Sequence, residues 1–233
     1  MRYETITHTD LKVSKICLGP MTFGEQNTEA DAHAQLDMAV ERGINFIDTA
    51  ELYSSPVKPE TQGSTGRFIG NWLQQRGKRD DLIIATKIVG DRPFAKHIRP
   101  KLGYSKENIE EAINLSLQRL QTDYVDLYQL HWPNRQTNFF GQRGYQHDEN
   151  EAWEDDFLEV LTNLDSLIKS GKVRYFGLSN ETPWGLMRYL HLAEKHDLPR
   201  CVSIQNPYSL LNRTYEIGLA EISMREEVSL LPY

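Results

Sequence analysis

FIDTAELY, residues 46–53, sets a short apolar run against Asp48, with Tyr53 five residues further on. Read as a strand that ends at Asp48, it is one of a set. KICLG (15–19), LIIATK (82–87), VDLYQLHW (125–132), KVRYFGLS (172–179), CVSIQN (201–206) and VSLLPY (228–233) are equally short, apolar and rich in β-branched or aromatic residues. Runs of this kind read as strands buried on both faces. Between them lie amphipathic stretches of helical period at 29–43, 66–77, 105–121, 157–171, 183–197 and 214–227. Ser105, with Glu107 and Asn108 behind it, has the form of a helix start, and Gly43, Gly77 and Gly171 stand where helices stop. Strict alternation of strand and helix predicts βαβ units and a parallel sheet. The expected fold is therefore α/β, a (β/α)8 TIM barrel that is incomplete, with about seven strands and no eighth βα unit.

In a parallel barrel the C-terminal ends of all strands open onto one face, so residues far apart in sequence converge there. Asp48, Tyr53, Lys87 at the end of LIIATK and His131 near the end of VDLYQLHW would share that mouth. Together they form an acid-catalysis site. A tyrosine hydroxyl is a poor proton donor at neutral pH, with a reference pKa near ~10, and a buried ammonium beside it is expected to lower that value. Asp48 would keep Lys87 charged and in place. Each residue also has a plainer reading: Tyr53 as a packed aromatic, Asp48 and Lys87 as an ordinary ion pair, His131 as a satisfied core histidine. The spacing Asp48 to Tyr53 favours catalysis.

Composition narrows the field. The 233 residues suffice for one barrel domain, expected to span 1–233, and the chain is 39% hydrophobic and 25% charged, ordinary for a globular protein. No apolar run approaches a membrane span, and the first residues show no secretory pattern, so a cytoplasmic location is expected. A net charge of −7 argues against nucleic acid as a partner. Cys17 and Cys201, each inside an apolar run, read as buried thiols. No GxGxxG follows a strand, and no metal-ligand cluster is apparent. The stretch 133–156 lacks periodicity and is too long for a simple connection, which marks a lid or substrate loop.

FIDTAELY, ATK at 85–87, LHW at 130–132, GLSN at 177–180 and QNPYSLL at 205–211 resemble, in that order, the motifs of the aldo-keto reductases. LGPMTFGEQNTEADAHAQLD at 18–37, RYLHLAEKHDLPR at 188–200 and QNPYSLLNRTYE at 205–216 resemble the Tas-type branch of that superfamily. The resemblance implies NADPH-dependent reduction of small aldehydes and ketones, with Tyr53 as the proton donor and His131 orienting the carbonyl. It implies that Ser179, Asn180 and Gln205 hold the nicotinamide carboxamide and that Tyr233 stacks on its ring. Gly19, Met21 and Thr22, with Asp48, would line the same NADP(H) site, although Pro20 stands where the family pattern has Thr. Trp132, Phe139 and Phe140, with Trp153, are candidates for an apolar substrate wall. YETITHTDLKV at 3–13 would form an N-terminal β-hairpin that closes the bottom of the barrel. A regulatory or interaction protein that keeps the cofactor on this fold is the alternative. An incomplete barrel adds two expectations: an inactive fragment with weak cofactor grip, because phosphate sites of such barrels lie after strands seven and eight, and self-association through unpaired edges.

Overall fold

The computed structural model describes residues 1–233. An antiparallel hairpin comes first, β1 (Tyr3–Thr5) with β2 (Lys12–Ser14), in the register Tyr3 opposite Ser14. Six parallel strands then form one sheet in sequence order: β3 (Phe46–Asp48), β4 (Ile83–Ile88), β5 (Val125–Leu130), β6 (Val173–Ser179), β7 (Ser203–Asn206) and β8 (Ser229–Pro232). Six helices alternate with them: α1 (Glu29–Glu41), α2 (Ser64–Arg76), α3 (Lys106–Leu120), α4 (Phe157–Lys169), α5 (Pro183–His196) and α6 (Tyr215–Arg225). The curled sheet is an incomplete TIM barrel.

One expected strand is missing from the sheet. KICLG contributes only Leu18, bridged in parallel to Ile47, through Leu18 N–H to the Phe46 carbonyl and Asp48 N–H to the Leu18 carbonyl, each at 2.9 Å. The pairing stops there because Gly19 and Pro20 turn the chain; Pro20 has no N–H to offer a ladder, and its carbonyl accepts instead from Phe23. Cys17 sits on this thinly paired edge and is exposed, against the expectation of a buried thiol, whereas Cys201 is buried.

The helices start where their sequences provide acceptors. Thr28 and Asp31 cap α1 reciprocally, the Thr28 hydroxyl taking the Asp31 N–H and the Asp31 carboxylate taking the Thr28 N–H. Ser105 caps α3 and Thr182 caps α5, where Pro183 fills the first helical position that needs no N–H. No helix is long and apolar enough to cross a membrane.

The hairpin does close one end of the sheet. Ile6, Leu11 and Val13 pack with Phe46, Ala85, Leu127 and Val202 in a buried apolar cluster. Thr7 ties the hairpin turn to the far edge, its N–H donating to the Ser229 hydroxyl at 3.1 Å. The outer face of the sheet packs against the helices in the main core. There α2 and α3 touch at the backbone: a methyl group on Gly70 would lie 2.0 Å from the Arg119 carbonyl oxygen. Gly70→Ala must therefore push the helices apart. It is expected to lower the free energy of unfolding by about 2–3 kcal/mol, the upper range for overpacking, measured by urea titration. An unchanged midpoint would show that α3 yields without strain.

Candidate active site

The parallel register delivers Asp48, Lys87 and His131 to one end of the sheet. Asp48 is the last residue of β3, Lys87 lies near the end of β4, and His131 follows β5 directly. Lys87 is fully buried. Its ammonium donates to Asp48 Oδ2 and, at 3.0 Å, to the Thr49 carbonyl. The other Asp48 oxygen accepts from Gln129 Nε2 at 2.7 Å. Burial opposes the charge on Lys87, but the field and hydrogen bond of the Asp48 carboxylate outweigh it and hold the lysine pKa above its ordinary value, with Tyr53 adding to this only once it has lost its proton.

Tyr53 leaves the turn after β3 and returns over this pair. The Lys87 ammonium lies 5.1 Å from the centroid of its ring, and the His131 ring meets it edge-on at 5.7 Å and 84°. The expected lowering of the tyrosine pKa does not occur. Desolvation pushes the Tyr53 phenol above its ordinary value; Lys87 pulls it down, but the Asp48 carboxylate in the same pocket adds to the rise. His131 is driven the opposite way, well below 6.5, by burial and by the Lys87 charge. The site thus holds a protonated phenol and a neutral imidazole over a charged, buried ion pair.

The next strands bring the expected cofactor residues together. Asn180, in the left-handed region at φ 53°, donates to the His131 carbonyl at 2.9 Å and contacts the Ser179 hydroxyl at 3.1 Å, while its own carbonyl accepts from the Tyr233 hydroxyl. Ser179 Oγ donates to the Gln205 carbonyl at 3.0 Å. The Gln205 side chain makes no hydrogen bond within the protein and the Tyr233 ring is half exposed, so an amide and an aromatic face stand free beside the site. Gly19 and Met21 are exposed and Thr22 half-buried on the facing loop, which the Ser55 N–H joins through the Met21 carbonyl at 2.7 Å.

The aromatic candidates divide. Trp132 is 1% exposed, its ring 4.6 Å from His131, 5.2 Å from Phe94 and 6.5 Å from a parallel Phe139. Phe139 packs on Phe140, which is exposed. Trp132 is therefore the buried member of one aromatic group and Phe140, 6.2 Å from it, the exposed one. Trp153 packs edge-on against Phe157, across a small cavity that Trp132 also lines.

Sequence reasoning misses two buried ion pairs beside the site. Glu51, inside FIDTAELY itself, accepts from the Val89 N–H at 2.8 Å and pairs with buried Arg99. A second carboxylate just past a buried strand must be paired if it is buried too, and that is a readable signal. Arg135 makes a two-pronged contact with Glu181, Nη1 to Oε2 at 3.1 Å and Nη2 to Oε1 at 2.6 Å, with its guanidinium over the rings of Phe157 and Trp184. It pins the start of the long loop to the residue after Asn180. Forty-six positions separate the two, and nothing local links them.

Comparison with known proteins shows the family. The family model for the aldo/keto reductase family matches residues 15–233. The chain belongs to the aldo/keto reductase family. This is a family of oxidoreductases that generally use a nicotinamide cofactor. The chain is 57% identical to Protein tas of Escherichia coli K12, over all of this chain and 67% of that protein. It is 34% identical to the uncharacterized oxidoreductase YrpG of Bacillus subtilis, over 93% of this chain and 61% of that protein. Norsolorinic acid reductase B of Aspergillus parasiticus is 29% identical, over 100% of this chain and 57% of that protein. The aldo/keto reductase chain thus spans about two thirds of the length of Tas and less of the other two.

The ion pair at the base of the site makes a stability prediction. Asp48→Asn leaves the Lys87 ammonium buried without a countercharge, and the free energy of unfolding is expected to fall by about 3–5 kcal/mol. Urea unfolding at neutral pH reads this directly. Unaltered stability would mean that water reaches Lys87.

Proposed function

We propose that this chain carries the carbonyl-reducing site of an NADPH-dependent aldo-keto reductase, with Tyr53 as the general acid, acting on small aldehydes and ketones. The observation that carries the reading is the convergence of Tyr53 and His131 over the Lys87–Asp48 pair at the strand ends. A substrate carbonyl oxygen beside Tyr53 and His131 would meet two fixed donors as it gains charge, and the phenol would protonate it. His131, held neutral, can donate through a ring N–H without adding a positive charge. Lys87 restrains the rise in the tyrosine pKa, and Asp48 holds Lys87.

The free Gln205 amide suits the carboxamide of a nicotinamide, the exposed face of Tyr233 suits its ring, and the Ser179 hydroxyl, bonded to the Gln205 carbonyl and to Asn180, would reach the carboxamide only by exchanging one of those bonds. Bound in that place, the nicotinamide would supply the hydride. Asn180 is already engaged on both sides of its amide and would act chiefly by shaping the pocket. Phe139 and Phe140 supply the apolar wall against which the body of the substrate would rest.

Tyr53→Phe removes only the acidic hydroxyl. NADPH-dependent reduction of a test aldehyde is expected to fall by roughly 10²-fold or more, with folding and NADPH binding, read by fluorescence quenching, retained. Reduction at near the parental rate excludes Tyr53 as the donor.

The pH dependence follows from the directions of the two shifts. With the His131 pKa well below 6.5 and the Tyr53 pKa above 10, neither group changes charge near neutrality. The reduction rate is expected to be flat from about pH 6.5 to 9 and to fall only as Tyr53 loses its proton at higher pH. An inflection near the ordinary histidine value in a kcat/KM profile would contradict the neutral role given to His131.

A further inference from the structure

We propose that Gln129 is a positioning residue for the carbonyl reduction: by holding one oxygen of Asp48 it fixes the carboxylate that places the Lys87 ammonium under Tyr53. The kinetic part of this inference rests on the function proposed above.

Gln129 lies on β5 in direct register with Lys87 on β4 and Gly177 on β6. Two residues earlier on the same strands, Ala85 and Leu127 face each other in the apolar cluster sealed by the hairpin. The sheet interior thus changes from apolar to polar in one step, and Gln129 stands fully buried on the polar side. A buried amide is unfavourable unless its hydrogen bonds are made. A carboxylate can only accept, so the amide nitrogen must be the atom that faces Asp48, at 2.7 Å. The amide oxygen then points away and is buried without a partner. An amide that meets only part of its hydrogen-bonding capacity in a dry interior is poorly explained as filler, for which a leucine or methionine would serve better. Its one side-chain hydrogen bond goes to Asp48, the partner of Lys87.

The consequence is geometric. Asp48 Oδ2 receives Lys87 and Oδ1 receives Gln129, so the carboxylate is held at both ends and cannot rotate. Lys87, tied also to the Thr49 carbonyl, keeps its position relative to the Tyr53 ring. Without Gln129, Asp48 could turn, and the ammonium would follow it.

Steady-state kinetics with NADPH and 4-nitrobenzaldehyde test the proposal on the chain as it stands. Gln129→Met, similar in length and with almost no hydrogen-bonding capacity, is expected to lower kcat about tenfold, the scale of one hydrogen bond to a charged group, with the KM for NADPH within about twofold. In an Asp48→Ala background the same substitution is expected to cost less than about twofold, because the acceptor it would hold is gone. Gln129→Glu serves as the second variant. Its carboxyl can donate to Asp48 only when protonated, so its rate is expected to recover toward the parental value as the pH is lowered from about 8 to 5.5. The other titratable groups around Asp48 are shifted away from that range, Lys87 and Tyr53 upward and His131 downward, and the Cys17 thiol, exposed as a residue but turned into the field of Asp48, is shifted upward. Undiminished kcat in Gln129→Met, losses that multiply in the double variant, or no recovery of Gln129→Glu at low pH each overturns the proposal. A parent chain with no NADPH-dependent reduction overturns the functional reading alone. The contact is then judged by urea unfolding of the parent, Gln129→Met, Asp48→Ala and the double variant. A coupling of at least about fivefold in the unfolding constant is expected, and independent effects refute it.

Discussion

A lysine ammonium with no access to water has to find its countercharge and its hydrogen-bond acceptors within the protein, and Lys87 finds them across the β3–β4 seam. Asp48 ends β3, the Thr49 carbonyl lies one residue beyond, and both are reached because Asp48 pairs with Ala85, two residues before the lysine. A change of register by one residue would turn Lys87 toward the helices and leave Asp48 unpaired in the interior. The ion pair and the strand alignment therefore specify one another. Breaking either leaves a buried charge, which the protein tolerates far less than it tolerates a lost surface contact.

The same alignment explains why the interior can be dry below and polar above. On β4 and β5, Ala85 and Leu127 face the hairpin, and Lys87 and Gln129 face the site. The hairpin is needed for this arrangement, since Ile6, Leu11 and Val13 exclude water from the lower layer. Water entering from below would screen the Lys87–Asp48 pair and weaken every field that acts on Tyr53 and His131. A feature of the fold that touches none of the four polar residues thus sets the dielectric around them.

Much of this is legible in the sequence, and the reasons for success and failure are physical. Asp48, Lys87 and His131 can be placed because each closes a short apolar run, and a parallel sheet converts strand ends into neighbours without further information. Tyr53 comes from its spacing to Asp48. The composition of KICLG suits a full strand, but pairing also depends on the residues beyond it, and Gly19–Pro20 ends the ladder after Leu18. Cys17 is exposed for the same reason. Trp132 reads as substrate wall beside Phe139 and Phe140 and does pack with both, but its burial against His131 and Phe94 depends on tertiary contacts that no local pattern shows. The Arg135–Glu181 pair is invisible in the sequence because a contact between distant polar residues leaves no periodic trace.

The direction of the Tyr53 shift carries the most general point. A neighbouring ammonium suggests a lowered phenol pKa when charges alone are counted, but the ammonium is itself present only because a carboxylate neutralises it. Seen from Tyr53, Lys87 and Asp48 act as a dipole, and the field of a dipole falls off faster than that of a single charge. Desolvation of the phenol is opposed only by Lys87, whose pull Asp48 partly cancels, and it wins. His131 obeys the same balance with the sign reversed: burial favours its neutral form, and the nearer positive end of the pair reinforces that preference. One partly shielded ion pair therefore leaves both groups above it uncharged and able to donate hydrogen bonds, the state in which an oxygen that gains negative charge is stabilised most as the charge develops.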